Sequence, residues 1–214
     1  ALPRLVDRFC ALAGLPGTNV PMPPAPVLVP DAANRDAAIR ALKLRGAGPV
    51  AILCPGAEYG PAKRWPPTHF ADLARRLLEA GARVWIVGSP NDKLAADAVI
   101  AAAGESAQRI RDLAGRTDLG TAIDLLSAAS VVVSNDSGLM HAAAAVGVPV
   151  VALFGSSSPV YTPPLSPQAR IARIEIECSP CFKRECPLGH FRCMRELEPD
   201  LVYNLARSAT PGNP

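Results

Sequence analysis

A chain of 214 residues, 49% hydrophobic and 19% charged, has room for one sizeable core or for one domain and a piece of another, and this balance is that of a soluble globular protein. A formal charge of +3, scattered Lys and Arg and 5% aromatic residues exclude the basic run with interleaved rings that single-strand nucleic-acid binders use. No nucleic-acid partner is expected. The longest apolar segment, Leu139 to Phe154, holds His141 and is broken by Gly147 and Pro149, so it predicts a helix followed by a strand rather than a membrane span. A charged-then-apolar leader is missing, which predicts a cytosolic compartment, and the opening Ala1-Leu2-Pro3 reads as a processed or truncated start.

In chain order, Leu5, Val6, Phe9 and Leu12 are spaced for one face of a short helix. Pro16 to Pro30, with Pro21, Pro23, Pro24 and Pro26 inside, is too proline-dense for helix or central strand and predicts an extended connector. Residues 1–30 are therefore expected to be the tail of a preceding domain and its linker, with residues 31–214 as one domain. From Val50 the pattern is regular. Strands are predicted at 50–54, 83–87, 109–112, 130–133 and 149–154, and helices at 68–80, 92–103, 121–128 and 137–146. Strands alternating with helices, apolar on both faces, predict an α/β fold: a Rossmann-like parallel sheet covered on both sides. Ligands of such sheets sit beyond the carboxyl ends of the strands. Those ends carry Pro55-Gly56-Ala57, Gly88-Ser89-Pro90, Ser134 to Gly138 and Gly155 to Ser158.

The most informative junction is Ser134-Asn135-Asp136-Ser137-Gly138-Leu139-Met140-His141, where Val131-Val132-Val133 runs into capping residues and an Ala-rich helix. The first N–H groups of a helix lack internal partners and its dipole favours negative charge, so a phosphate-bearing ligand is one reading. Plain capping of the helix by Asn135, Asp136 or Ser137 is the other.

Three segments carry a resemblance. They are Cys54-Pro55-Gly56-Ala57-Glu58-Tyr59-Gly60-Pro61-Ala62-Lys63-Arg64-Trp65-Pro66, Asn135 to His141, and Ser157-Ser158-Pro159 with Thr162 to Ser166. Together, and with Val6-Asp7-Arg8, they closely resemble the heptosyltransferases of glycosyltransferase family 9, which build the inner core of lipopolysaccharide. The match spans roughly residues 50–170, and three motifs in the right order are far more specific than one short pattern. The resemblance implies the carboxyl-terminal half of a GT-B enzyme, two Rossmann-type domains facing across a cleft. It implies that this half binds ADP-L-glycero-D-manno-heptose. The lipid-linked acceptor and a catalytic Asp would belong to the other domain, so no catalytic residue is assigned here and the half alone is expected to bind donor but hardly transfer sugar. It further implies work on the cytoplasmic side, with peripheral attachment at the inner membrane as an option.

Each donor-site residue keeps a plainer reading beside the implied one. Lys63, in a Gly/Pro-rich loop, matches a lysine that contacts donor phosphate; alone it reads as a solvated surface lysine. Arg64 is a lesser candidate for that task, and Trp65 is expected to pack the loop onto a helix. Asp136, Ser137 and Gly138 match the phosphate-facing turn, although a carboxylate beside a diphosphate repels it unless it orients the turn or accepts from a donor hydroxyl. His141, one turn along, matches a phosphate-proximal histidine; its alternative is a hydrogen-bonded interior side chain. Asp92 suits ribose hydroxyls or a helix N-cap equally, and Gly115-Arg116-Thr117 matches the loop around adenine.

Cys178-x2-Cys181-x4-Cys186, then His190 and Cys193, puts five soft ligands within 16 residues. A tetrahedral structural Zn on Cys178, Cys181, Cys186 and Cys193 is one reading; disulfides or free thiols are the others. Cys10 and Cys54 read as small apolar residues. No cofactor is required by the expected transfer, since Lys63, the helix terminus and His141 can take the leaving-group charge. A reading from another class remains open: a non-catalytic nucleotide-binding or interaction module, with the cysteine segment as docking surface.

Overall fold

Five apolar runs predicted strands, and the computed structural model, which describes residues 2–14 and 23–209, has a strand at each of them. They are β1 Val50–Cys54, β2 Arg83–Ile86, β3 Ile110–Asp112, β4 Val131–Asn135 and β5 Val150–Leu153. A sixth, β6 Ala169–Ala172, escapes sequence reading because it is an edge strand: Arg170 and Ile171 are exposed and only Ala172 is buried. All pairings are parallel and the order is β3-β2-β1-β4-β5-β6. This is a doubly wound sheet whose winding reverses between β1 and β4, and the crevice beyond that reversal is where such folds bind ligands.

The period-two alternation of the strands sorts the core into two layers. Leu53, Ile86, Val133 and Leu153 face one side, packed by α3 Pro67–Glu79, α4 Lys93–Ala102 and α8 Pro199–Ala209. Ile52, Trp85, Val132 and Ala152 face the other, packed by α5 Leu119–Leu126 and α6 Gly138–Val146. Cys54 belongs to this second layer, 1% exposed, and burial pushes its thiol up to about 12, as fits a small apolar residue.

Element ends differ from expectation for local reasons. Helix α5 starts two residues early because Asp118 caps it, accepting from Thr121 N–H at 2.7 Å. Helix α2 Ala32–Ala41, not foreseen, starts at Asp31, whose carboxylate accepts from Ala33 and Asn34 N–H at 2.8 and 3.0 Å. It is pinned to α5 by the buried Asp124, which accepts from Asp31 N–H at 2.8 Å and from Asn34 Nδ2 at 2.7 Å. The first helix, α1 Leu5–Leu12, docks on the loop after β5, with Leu5 N–H donating to Tyr161 O at 2.8 Å. Residues 16–22 of the expected connector lie outside the described residues. Short α7, Arg192–Arg195, leads into α8. Among the described residues no helix is long and apolar enough to cross a membrane.

Candidate nucleotide-sugar site

The sheet's reversal brings the ends of β1 and β4 side by side, and Asn135, fully buried, fastens them. Its Nδ2 donates to Pro55 O at 2.7 Å, and its Oδ1 accepts from Trp65 N–H at 3.1 Å. Trp65, 1% exposed, donates Nε1–H to Leu197 O at 2.7 Å and meets Phe70 edge-on at 4.9 Å, so it anchors the loop as expected. The β1–α3 loop is thereby held at both ends over the sheet edge.

Lys63 hangs from this loop and its Nζ lies 2.6 Å from Asp136 Oδ2, a pair in which the lysine is 19% and the aspartate 4% exposed. This answers the puzzle of a carboxylate in an anion-friendly turn: Asp136 neutralises and orients Lys63 from below. The capping reading of the turn does not hold. Ser137 is the N-cap of α6 yet makes no side-chain cap, since its hydroxyl sits 3.2 Å from Ser134 Oγ, and Asn135 and Asp136 are engaged as above. The first amides of α6, a helix of nine residues closed by Gly147 at φ 86°, are therefore left to other acceptors. His141 stands one turn into α6 on the cleft side, exposed at the rim. Partial burial of its ring lowers its pKa; Asp136 opposes this and Lys63 adds to it.

These groups share one cleft of about 970 Å³, and every residue expected to bind the donor, Lys63, Asp92, Thr117, Asp136, Ser137, Gly138 and His141, lines it. Asp92 precedes α4 but its side chain does not cap that helix; its Oδ2 reaches back instead and accepts from Ser89 N–H and Oγ–H, both at 2.8 Å. Its carboxylate closes over Gly56, where a Cβ would lie 1.9 Å from Oδ1, so a larger residue at the β1 exit would have to displace Asp92 from Ser89. Thr117 Oγ1 is buried in the wall without a partner among the described residues. Gly115 and Arg116 are not on the wall, which corrects the wider adenine loop. Gly115 N–H donates to Gly88 O at 3.0 Å instead. Arg64 likewise turns away, donating to Ala57 O at 3.2–3.3 Å.

Sequence reasoning missed the apolar wall, Leu119, Ala122 and Ile123 of α5, whose period gave core and cleft faces the same signal. It also missed Asp118, whose carboxyl is held below the usual range by the Thr121 N–H it caps. The cleft thus pairs a flat apolar side with a polar end holding one lysine, one histidine and free helix amides. Three of its four acids are committed, Asp92 to Ser89, Asp118 to the start of α5 and Asp136 to Lys63; the fourth, Glu58, is exposed.

The profile of Glycosyltransferase family 9 (heptosyltransferase) matches residues 1–192. The chain belongs to glycosyltransferase family 9. It is 39% identical over 210 residues to lipopolysaccharide heptosyltransferase 2 of Escherichia coli K12, covering 94% of this chain and 60% of that protein. It is 41% identical over 213 residues to lipooligosaccharide heptosyltransferase 2 of Haemophilus ducreyi, covering 94% and 61%. The solved structure of E. coli ADP-heptose lps heptosyltransferase II superposes with a TM-score of 0.84 at 35% identity, over 97% of this chain and 62% of that one. This family 9 chain therefore spans about three fifths of the relatives it matches.

The cysteines, read from sequence as a zinc site, as disulfides or as free thiols, are outside the cleft. Cys178, Cys181, Cys186 and Cys193 are free thiols gathered with His190 around a separate cavity of about 50 Å³. Among the described residues no group of three or more His, Cys, Asp or Glu side chains is placed, as it stands, to hold a metal ion.

Proposed function

We propose that the cleft binds the ADP portion of ADP-L-glycero-D-manno-heptose, and that the chain is the donor half of an inverting transferase adding heptose to the lipopolysaccharide inner core. The observation that carries this reading is the Lys63–Asp136 pair facing the uncapped start of α6 at the sheet reversal. A diphosphate there meets a cation on one side and helix amides on the other, each able to hold the charge that develops as the bond to the sugar breaks. The apolar wall of α5 suits a flat base, and the orphaned Thr117 hydroxyl suits its polar edge or the ribose. Transfer also needs a base to deprotonate the acceptor hydroxyl. That base, with the lipid-linked acceptor site, is assigned to the part of the relatives' length that this chain does not span. The work is placed on the cytoplasmic side, at the surface of the inner membrane.

Thermal-shift titration with ADP, UDP and ADP-heptose tests the reading. Stabilisation by both ADP compounds and not by UDP is the expected result; no shift with any of them sinks it.

A further inference from the structure

The segment from Cys178 to Cys193 contains neither strand nor helix until Arg192, yet it is packed tightly against the sheet edge. Gly155, just beyond β5, has no room for a Cβ, which would lie 2.3 Å from Met194 Sδ and 3.2 Å from Cys193 Sγ. Ser179 Oγ–H donates to Gly155 O at 2.7 Å, and Phe182 N–H donates to Ser156 O at 2.7 Å. A segment so poor in apolar contacts needs another source of order.

The chemistry at its centre supplies one. Four thiols face one small cavity. Cys186 Sγ accepts the Phe191 N–H at 3.4 Å, the kind of donor that steadies a thiolate sulfur. His190 Nδ1 accepts the Arg192 N–H at 3.0 Å, which leaves the ring proton on Nε2, 4.0 Å from Cys178 Sγ. His190 is thereby fixed as a donor towards a sulfur rather than as a ligand. Ser156, 1% exposed, lines the same cavity, and its hydroxyl has no partner among the described residues. A buried hydroxyl without a partner points to a group that completes the cavity.

We propose that Cys178, Cys181, Cys186 and Cys193 close on a single zinc ion, with His190 as an outer donor to the Cys178 sulfur. The thiols reach it by rotation about their Cα–Cβ bonds. Four S–H bonds break, four Zn–S bonds form, and four protons leave to solvent. The ion also sets the loop that carries Lys63, a consequence that rests on the nucleotide reading above. The stretch between Cys181 and Cys186 holds that loop directly: Tyr59 Oη–H donates to Phe182 O at 2.9 Å and Ala62 N–H to Arg184 O at 3.0 Å. Gly60 passes so close to Arg184 O that a Cβ would lie 2.5 Å from it.

The test is elemental analysis of the full chain, expressed with zinc and purified without chelator. About one zinc per chain is expected, released by a mercurial thiol reagent into a metal-binding dye. Cys178→Ser and Cys186→Ser lose the zinc, and Cys10→Ser, in α1, keeps it. Should the cysteine variants fail to fold, thiol titration of the unfolded wild-type chain decides. Disulfides, iron in place of zinc, or less than about 0.1 metal per chain overturn the assignment. Zinc-free chain is expected to bind ADP several-fold more weakly than zinc-loaded chain. Equal affinities overturn the link to Lys63 while the metal site stands, and an absence of ADP binding by the zinc-loaded chain overturns the nucleotide reading and that link with it.

Discussion

The cleft and the cysteine segment are assembled on opposite principles. The cleft gathers Lys63, Asp92, Thr117, Asp136 and His141, far apart in sequence, because parallel strands deliver their loops to one edge. The cysteine segment gathers its groups from 16 consecutive residues, with no strand of its own. A site placed by a sheet inherits the rigidity of the core and cannot shift without disturbing it. A site placed by a short loop has little core to lean on and depends on a few specific bonds. They meet at the β1–α3 loop, where Trp65 ties Lys63 to the sheet side and Tyr59 ties it to the cysteine side.

The sheet-side anchor is the stronger. Trp65→Ala is expected to cost about 3–5 kcal/mol of stability by urea unfolding, as for other buried large rings. A loss below about 1 kcal/mol breaks the contrast by showing that the loop is held elsewhere. Next is Lys63→Ala, which removes a charge-assisted contact and leaves Asp136 facing the ligand unneutralised. ADP affinity is expected to fall by about 1.5–3 kcal/mol, roughly ten- to a hundred-fold in calorimetry. An unchanged Kd rules the lysine out of binding.

The cysteine-side anchor is the weaker, and Tyr59→Phe isolates it. Losing its bond to Phe182 O is expected to cost about 0.5–1.5 kcal/mol of stability and a few-fold in ADP affinity. An effect as large as that of Trp65→Ala reverses the ranking.

The smallest effect concerns pH. The His141 pKa lies below its ordinary 6.5 in the folded chain, so acidification through that range costs the free protein stability. Bound diphosphate favours the imidazolium and raises that pKa, so protons and ADP bind together. Affinity is expected to rise as pH falls from about 7.5 to 5.5, by a few-fold more in wild type than in His141→Gln. Parallel pH profiles for the two would show that His141 does not face the ligand.

Much of the fold is written in local patterns. The runs Val50–Cys54 and Val131–Val133 could only be doubly buried strands, and Gly81 and Gly147 end their helices at positive φ. The edge strand β6 and helix α2 are illegible because one has a single buried residue and the other only a short, half-buried apolar face of Ala38 and Ile39. In the site, residue types and motifs named the polar end, but Leu119, Ala122 and Ile123 looked like ordinary core.

By itself the sequence determined the five inner strand runs, which loops leave their carboxyl ends, and which family the motifs belong to, since periodicity and spacing are properties of the chain. Only the tertiary structure decided that β1 lies beside β4. With it came the pairing of Asp136 with Lys63 across 73 positions and the bond from Asn135 Nδ2 to Pro55 O. The reason is physical. A parallel strand finds its neighbour through a crossover whose length fixes no partner, so adjacency, and every contact that depends on it, is chosen by the packing of the whole sheet.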